Sequence, residues 1–305
     1  MDRPGGISAI GGTPVVRLAQ LAGEGGAEVW VKMEAANPTG SYKDRMALAM
    51  IEAAEADGRL RPGQLVVEYT GGSTGSSLAF VCAVKGYPLR IVSSDAFAEE
   101  KIRTMRAFGA EVELIPSPDG ITPDLIPAMM RRAAEITAQT GAFATDQFNN
   151  TDMVEGYRRL GEELIEQLPG PPSIGAFCSY VGTAGCFLGV SRALTAAQPQ
   201  VHRVVVEPAE SAVLSGGPPG THHIEGGGIG QRPADAQEAA GGADIAAKGA
   251  DWRRAGKLLE QFLAEAAVAV HHVGVIELIG SERARLCRDL GRPAHHCRDQ
   301  LDLGA

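Results

Sequence analysis

Positive charge is scarce in this chain. Among 305 residues, 28 Lys and Arg stand against 37 Asp and Glu, a net charge of -9. That balance excludes the basic face a nucleic-acid surface requires. Long apolar runs are also missing: no stretch reaches the ~20 residues of a membrane-spanning helix, and no charged-then-apolar leader opens the chain. Cysteine is sparse, odd in number and widely spaced (Cys82, Cys178, Cys186, Cys287, Cys297). This reads as a reducing, cytoplasmic setting rather than a disulfide framework. Six of the seven histidines fall in pairs at 222/223, 271/272 and 295/296. With Cys287 and Cys297 they match no standard zinc spacing, so no metal is expected. What is present is 44% hydrophobic residues and 39 glycines, the composition of a soluble globular protein with many tight loops. The length suits one large domain or two.

Periodicity supplies the order of elements. After Lys43, Met46, Met50, Ile51 and Ala54 recur at helical spacing until Gly58. "LVVEYT" (65–70), "LRIVSSD" (89–95), "EVELIPS" (111–117), "AFATD", "IGAFCSYV" and "VHRVVVEP" read as strands. Between them "SSLAFVCAVKG", "AEEKIRTMRAFG", "DLIPAMMRRAAEITAQTG", "VEGYRRLGEELIEQL" and "GTAGCFLGVSRALTAA" read as helices. Strands alternating with helices imply βαβ units and parallel sheets covered on both faces. The fold class is α/β.

In open α/β sheets ligands bind beyond the carboxyl ends of strands, at helix N-termini. Two glycine-bearing loops stand there: "TGGSTG" (70–75) after "LVVEY", and "VGTAGC" (181–186) after "IGAFCSY". Each offers backbone N–H groups and hydroxyls, so one suits a phosphate and the other a carboxylate. Neither is a Walker loop or a GxGxxG fingerprint, which makes nucleotide binding a poor reading. A third feature is "NPTGSYKDR" (37–45), where a stiff turn delivers Lys43 to the start of a helix. A lysine beside a phosphate site and a carboxylate site suits pyridoxal phosphate and an amino acid. To form a Schiff base the amine must be neutral, whereas a free lysine titrates near ~10.4. Burial beside apolar or cationic groups lowers that value.

"GGTPVVRL" (11–18), "NPTGSYKDR", "TGGSTG", "DQFNN" (146–150), "VGTAGC" and "EPAESAVLSGGPPGTHHIEGGGIG" (207–230) occur in the order and spacing of the cysteine synthase family. The likeness covers residues 8 to 230. The chain thus resembles the tryptophan-synthase-β-like, fold type II enzymes that use pyridoxal phosphate. That resemblance implies two open, parallel-rich sheet domains with helices on both faces. The smaller would span 38–145, and the larger, cofactor-binding one 1–37 plus 146–305. It implies Lys43 as the Schiff-base lysine and Gly182, Thr183, Ala184, Gly185 and Cys186 as the phosphate cradle. Ser73 falls where a side chain meets the ring hydroxyl. Thr70, Gly71, Gly72, Thr74, Gln147 and Gly228 fall on the substrate side, Gly228 within a loop (226–230) lining the cofactor pocket. Tyr42 is expected to be a packing residue, and Asp44 and Arg45 to form structural ion pairs.

The activity so implied is β-replacement on a serine-derived amino acid: O-acetylserine or O-phosphoserine plus sulfide giving cysteine, in a cytoplasmic homodimer. The alternatives are a serine/threonine dehydratase, a threonine-synthase-like lyase, a catalytically impaired member, or a partner protein without turnover. Some positions depart from the family pattern. Ser73 stands for the usual asparagine and Gly71 for the usual serine, so the β-substituent preference is expected to differ. Ala184 and Cys186 stand for glycine and threonine in the phosphate cradle, Cys186 as a packing residue. Beyond Gln231 the family's strand and long helix are not recognisable. "VHHVGV" (270–275) stands, without Ser or Thr, where a hydroxyl-bearing turn is expected. Two readings stand for this tail: divergence, or translation in another frame.

Overall fold

The computed structural model describes residues 5–18, 28–122, 124–168, 174–220, 226–227, 244–248 and 273–277. Two separate sheets organise them. The smaller is built from β3 (Val66–Tyr69), β4 (Leu89–Ser94), β5 (Glu111–Ile115) and β6 (Phe143–Ala144), in the order β5-β4-β3-β6 and parallel throughout. Between these strands run α2 (Ser73–Lys85), α3 (Glu99–Ala107) and α4 (Leu125–Thr140). Alternation across the pleat serves both faces. Val66 and Ile91 join the cluster that holds Leu78 and Cys82 of α2. Val67, Tyr69 and Val92 face Leu125, Met129, Ala133 and Ile136 of α4. Parallel sheets need this double cover, since each strand is buried on both sides.

The larger sheet takes β1 (Val15–Arg17), β2 (Val29–Lys32), β7 (Ile174–Tyr180), β8 (His202–Pro208), β9 (Asp244–Lys248) and β10 (Val273–Glu277). Its order is β1-β2-β10-β7-β8-β9, antiparallel only between β1 and β2. Three helices belong to the same core: α1 (Lys43–Ala56), α5 (Asp152–Gln167) and α6 (Gly185–Ala197). In α1 the alanines, methionines and leucine are strong helix formers. Met46, Ala47, Met50, Ile51 and Ala54 are completely buried, and each large side chain contributes roughly 1.5–3 kcal/mol on burial. Phe187 of α6 stacks on Phe177 of β7 with ring centroids 5.5 Å apart. Gly86, with φ 79°, ends α2 in the left-handed region, where glycine carries no Cβ penalty.

Every helix and strand read from periodicity up to residue 208 is present. Two helices begin later than the quoted runs suggest or earlier than the loop does: α6 starts at Gly185, and α2 already at Ser73, inside "TGGSTG". Beyond Gln231 the expectation needs correcting. The run 231–254 contains β9, and Val273 to Val275 of "VHHVGV" lie in β10, a strand rather than a turn. Main-chain pairing overrides weak local signals here: β10 pairs in parallel with both β2 and β7. The residues after Glu277, where the hydroxyl-bearing turn would be sought, lie outside the described residues. All three histidine pairs, Cys287 and Cys297 also lie outside them. Among the described residues, no helix is long and apolar enough to cross a membrane.

Candidate active site

Lys43 opens α1 and is 7% exposed. The turn before it is closed by its own side chains. The Ser41 hydroxyl accepts from Lys43 N–H at 3.1 Å. Asp44, 0% exposed, accepts from Thr39 N–H at 2.8 Å and from the Thr39 hydroxyl at 2.5 Å. Asp44 therefore braces the turn by hydrogen bonds, not by the expected ion pair. Its carboxyl is raised from the ordinary range, by burial first, although the Ser77 and Thr39 hydrogen bonds pull the other way. In the first turn of a helix a carboxylate also meets the positive end of the dipole.

Arg45 does form the expected ion pairs. Its guanidinium meets Glu34 at 2.7 Å and Glu163 at 2.7 Å, and Lys32 meets Glu163 at 2.7 Å. Thr13 donates to Glu34 at 2.6 Å, and Gly12 N–H to Glu163 at 3.0 Å. Thus "GGTP" and "NPTGSYKDR" interlock through one buried network that fixes the lysine turn to β2 and α5. Burial opposes the charge on Glu163, yet Arg45 and Lys32 hold its carboxyl down at about 2. The Lys43 Nζ donates to the Tyr42 hydroxyl at 2.6 Å and lies 4.1 Å from that ring's centroid. Tyr42 is buried and packs on Tyr157 at 5.6 Å, so the packing role holds. Its hydroxyl also reaches the amine, which sequence reasoning did not anticipate.

Helix α5 gathers the parts. Met153, Gly156 and Tyr157 share one face, being three and four residues apart. A Cβ on Gly156 would come within 2.7 Å of Arg45 O, so α1 and α5 cross in close contact. Tyr157 meets Tyr42, while Met153 lies against Gly185 and receives the Thr183 hydroxyl at 3.7 Å. The lysine turn and the "VGTAGC" loop therefore meet at the same end of α5. The lysine turn also reaches α2, where the Thr39 and Ser77 hydroxyls lie 3.3 Å apart.

The "VGTAGC" loop fits a phosphate. Ala184 takes the left-handed conformation, φ 71° and ψ -13°, immediately before α6. A left-handed residue leading into the first turn of a helix, at the positive end of its dipole, suits an anion. A Cβ on Gly182 would lie 2.5 Å from Gly226 O, and one on Gly227 would lie 2.5 Å from Val181 O. Side chains would fill this cradle. Thr183, 5% exposed, holds only a weak sulfur partner on its hydroxyl at 3.7 Å, leaving it able to turn to a phosphate oxygen. Cys186 joins the core cluster, as a packing residue does. A primary amine, a helix N-terminus and a hydroxyl form the donor set that pyridoxal phosphate needs.

The "TGGSTG" loop caps α2 and joins Gln147. Thr70 accepts from Gly72 N–H at 3.1 Å. Thr74 donates to Gln147 Oε1 at 2.7 Å, and Gln147 Nε2 donates to Tyr69 O at 3.0 Å. Thr70, Thr74 and Gln147 are all buried, so the residues assigned to the substrate side come together from β3, α2 and the loop after β6. Ser73 stands half-buried at the head of α2. Gly71 lies under Phe97, whose ring atoms Cδ1 and Cζ would be 2.5 and 2.7 Å from an added Cβ. Gly228 lies outside the described residues. Sequence reasoning missed Glu68, fully buried beneath this loop, and Phe97. A lone acid inside "LVVEYT" was the available signal for Glu68.

Comparison with known proteins agrees with this geometry. The description of pyridoxal-phosphate dependent enzymes matches residues 7–276. The chain is 41% identical to a cysteine synthase of Staphylococcus aureus over 225 residues, 73% of this chain and 71% of the relative. It is 39% identical to cysteine synthase B of Salmonella typhimurium over 210 residues, 68% and 66% of the two chains. Among solved structures, O-ureido-L-serine synthase superposes with a TM-score of 0.80 at 29% identity, covering 99% of this chain and 97% of that one. O-Acetyl Serine Sulfhydrylase isoform 3 from Entamoeba histolytica gives 0.80 at 32% identity, covering 92% and 90%. With a buried lysine between two anion-ready helix N-termini, this chain belongs to the family of pyridoxal-phosphate dependent enzymes, among the cysteine synthases, and pyridoxal phosphate is its cofactor.

Proposed function

We propose that this enzyme carries out β-replacement on a serine-derived amino acid, O-acetylserine or O-phosphoserine, with sulfide as the nucleophile and cysteine as the product. The observation that carries the reading is Lys43, buried where α5 joins the lysine turn to the "VGTAGC" loop. The cysteine synthases among its relatives give the reaction. The chain divides into a smaller domain at 38–145, which carries the smaller sheet together with α1 at its border, and a larger one formed by 1–37 and 146–305.

In this reading the N–H groups of Gly182 to Cys186 and the Thr183 hydroxyl would hold the phosphate, Lys43 would hold the cofactor's carbonyl carbon, and Ser73 would reach its ring hydroxyl. Pyridoxal phosphate, when bound, draws off the electron pair left at the substrate's Cα, which lets the β-substituent leave and a nucleophile add. The loop Thr70 to Thr74 receives the substrate carboxylate, at a helix N-terminus where free N–H groups and dipole both favour an anion. Gln147 keeps its amide oriented through Tyr69 and Thr74, with a second Nε2 hydrogen left for the substrate. Lys43 Nζ would remove the Cα proton and later return it.

The test is direct. The purified enzyme should be yellow, lose the colour to borohydride, and make cysteine from O-acetylserine only when sulfide is present. Lys43→Ala should abolish the reducible colour and turnover. Release of a 2-oxo acid from serine or threonine without a nucleophile would point instead to a dehydratase. The family resemblance also implies a cytoplasmic homodimer, which sedimentation of the purified enzyme checks.

A further inference from the structure

Glu68 lies beneath the "TGGSTG" loop and has no part in the steps above. It is the third residue of β3 and 1% exposed. Three hydrogen bonds converge on its carboxyl. Tyr69 N–H donates to one oxygen at 2.8 Å. The Thr145 hydroxyl at 2.7 Å and Gln147 N–H at 3.1 Å meet the other. From Gln147 the path continues to the Thr74 hydroxyl and back to Tyr69 O. Between Thr145 and Gln147, Asp146 takes the uncommon φ of 46° and accepts from the Tyr69 hydroxyl at 2.8 Å. The ring Glu68–Gln147–Tyr69 is thus closed by hydrogen bonds, and Thr74 on the first turn of α2 is tied to it through Gln147 Oε1.

We propose that Glu68 is a positioning residue for the substrate: by tying the main chains of Tyr69 and Gln147 to one carboxyl, it fixes Thr74 and the loop N–H groups where an amino acid's carboxylate binds. This rests on the reading of that loop given under the proposed function.

The chemistry requires a carboxyl at this point. Burial, with a smaller contribution from Asp146, pushes Glu68 up to about 8 against the pull of its hydrogen bonds. Its carboxyl accepts from the Thr145 hydroxyl. Its two oxygens still accept from both backbone N–H groups. A glutamine of the same shape cannot do this. Its NH2 must face either Tyr69 N–H or Gln147 N–H, leaving a buried donor without an acceptor. Glu68→Gln therefore preserves the volume and removes the tie.

The experiment titrates the holoenzyme with L-serine, followed by cofactor absorbance, and measures cofactor dissociation and steady-state kinetics alongside. In Glu68→Gln the Kd for L-serine should rise roughly tenfold, the value of one such hydrogen bond. KM for O-acetylserine should rise in step, while kcat and cofactor affinity stay within about twofold. Thr145→Val removes only the hydroxyl and should weaken L-serine in the same direction. If Glu68→Gln does not fold, this variant decides the matter. Unchanged L-serine affinity in whichever variant folds, or equal loss of L-serine and cofactor affinity, overturns the proposal. Thr74→Val separates the two readings. If it weakens L-serine while Glu68→Gln does not, only the positioning role fails. If neither changes binding, the carboxylate loop is wrongly assigned.

Discussion

Restoring the family's usual serine at position 71 should damage this enzyme, and the structure gives the size of the effect. An added Cβ would lie 2.5 Å from Phe97 Cδ1 and 2.7 Å from Cζ, and closer still to Cε1. Carbon atoms in favourable contact stand roughly 3.5–4.0 Å apart, so the ring must move by about an ångström. No far end of a flexible chain is available to yield, because three ring atoms are involved. Phe97 also packs against the cluster of Tyr69, Val92 and Met129, so displacing it loses burial. Overpacking of this kind costs about 1–3 kcal/mol, and part of that cost falls on the "TGGSTG" loop itself. We expect Gly71→Ser to lower the thermal midpoint and to weaken L-serine by about 5- to 100-fold, at 1.4 kcal/mol per tenfold. Phe97→Ala alone should destabilise through lost packing. The double variant should recover much of the Gly71→Ser loss, giving a coupling of at least ~1 kcal/mol in a double-mutant cycle. Additive effects, or a single Gly71→Ser enzyme that binds L-serine as the parent does, would refute the reasoning. The departure at Gly71 would then have no steric partner in Phe97.

Gly156→Ala should act at a distance: its Cβ would meet Ala49 Cβ and Arg45 O at 2.7 Å, so α1 must shift and cofactor affinity should fall together with stability, read by equilibrium titration and thermal unfolding. Glu163 gives an acid-pH prediction. Its folded value near 2 lies below the ordinary 4.5, so its contribution is present above pH 4.5 and is lost as pH falls through about 2. Denaturation midpoints measured from pH 6 to 2 should therefore fall less steeply in Glu163→Gln, which starts lower because Arg45 and Lys32 lose their charged partner. Parallel curves would contradict this. Cys186→Thr should tighten cofactor binding up to ~10-fold if the side chain reaches the phosphate, and unchanged affinity would confine the position to packing.

The order of elements was legible because most strands and helices carry their period locally. "LVVEYT" and "IGAFCSYV" are long enough to show a buried strand, and the helix runs end in glycines such as Gly86. β1 and β2 are three and four residues long and sit in an antiparallel pair outside the βαβ alternation, so no neighbouring helix marks them, and they gain their conformation from pairing. The chemistry of the site was legible for a related reason: its loops are contiguous motifs. What escaped was non-local. Glu68 meets Thr145 and Gln147 across 77 and 79 residues, and Phe97 covers Gly71 from the end of another strand. Asp44 was misjudged because ion pairing is the default for an acid near Arg and Lys. In the fold, the Thr39 donors lie on the inside of its own turn.

The tail beyond Gln231 is the place where sequence and structure differ most in what they suggest. Read by motif it shows no family pattern, yet the family match runs on to residue 276 and β10 occupies an interior position of the larger sheet. Gly274 to Glu277 pair with Val29 to Lys32 on one side, and Gly274 to Ile276 pair with Ala176 to Cys178 on the other. An interior strand satisfies the N–H and C=O groups of both neighbours, so its loss exposes two ladders at once. β2 would retain only β1, three paired residues long, and the lysine turn hangs on β2 through Lys32, Glu163 and Arg45. A chain ending at residue 230 should therefore be insoluble or fail to hold the cofactor, although every motif of the candidate site lies within it. The measurement is expression of residues 1–230 beside the full chain, followed by cofactor titration of the soluble fraction. A soluble, yellow, borohydride-sensitive 1–230 protein would show that β10 is dispensable. Loss of both properties would make the tail a working part of the larger sheet, as its pairing register implies.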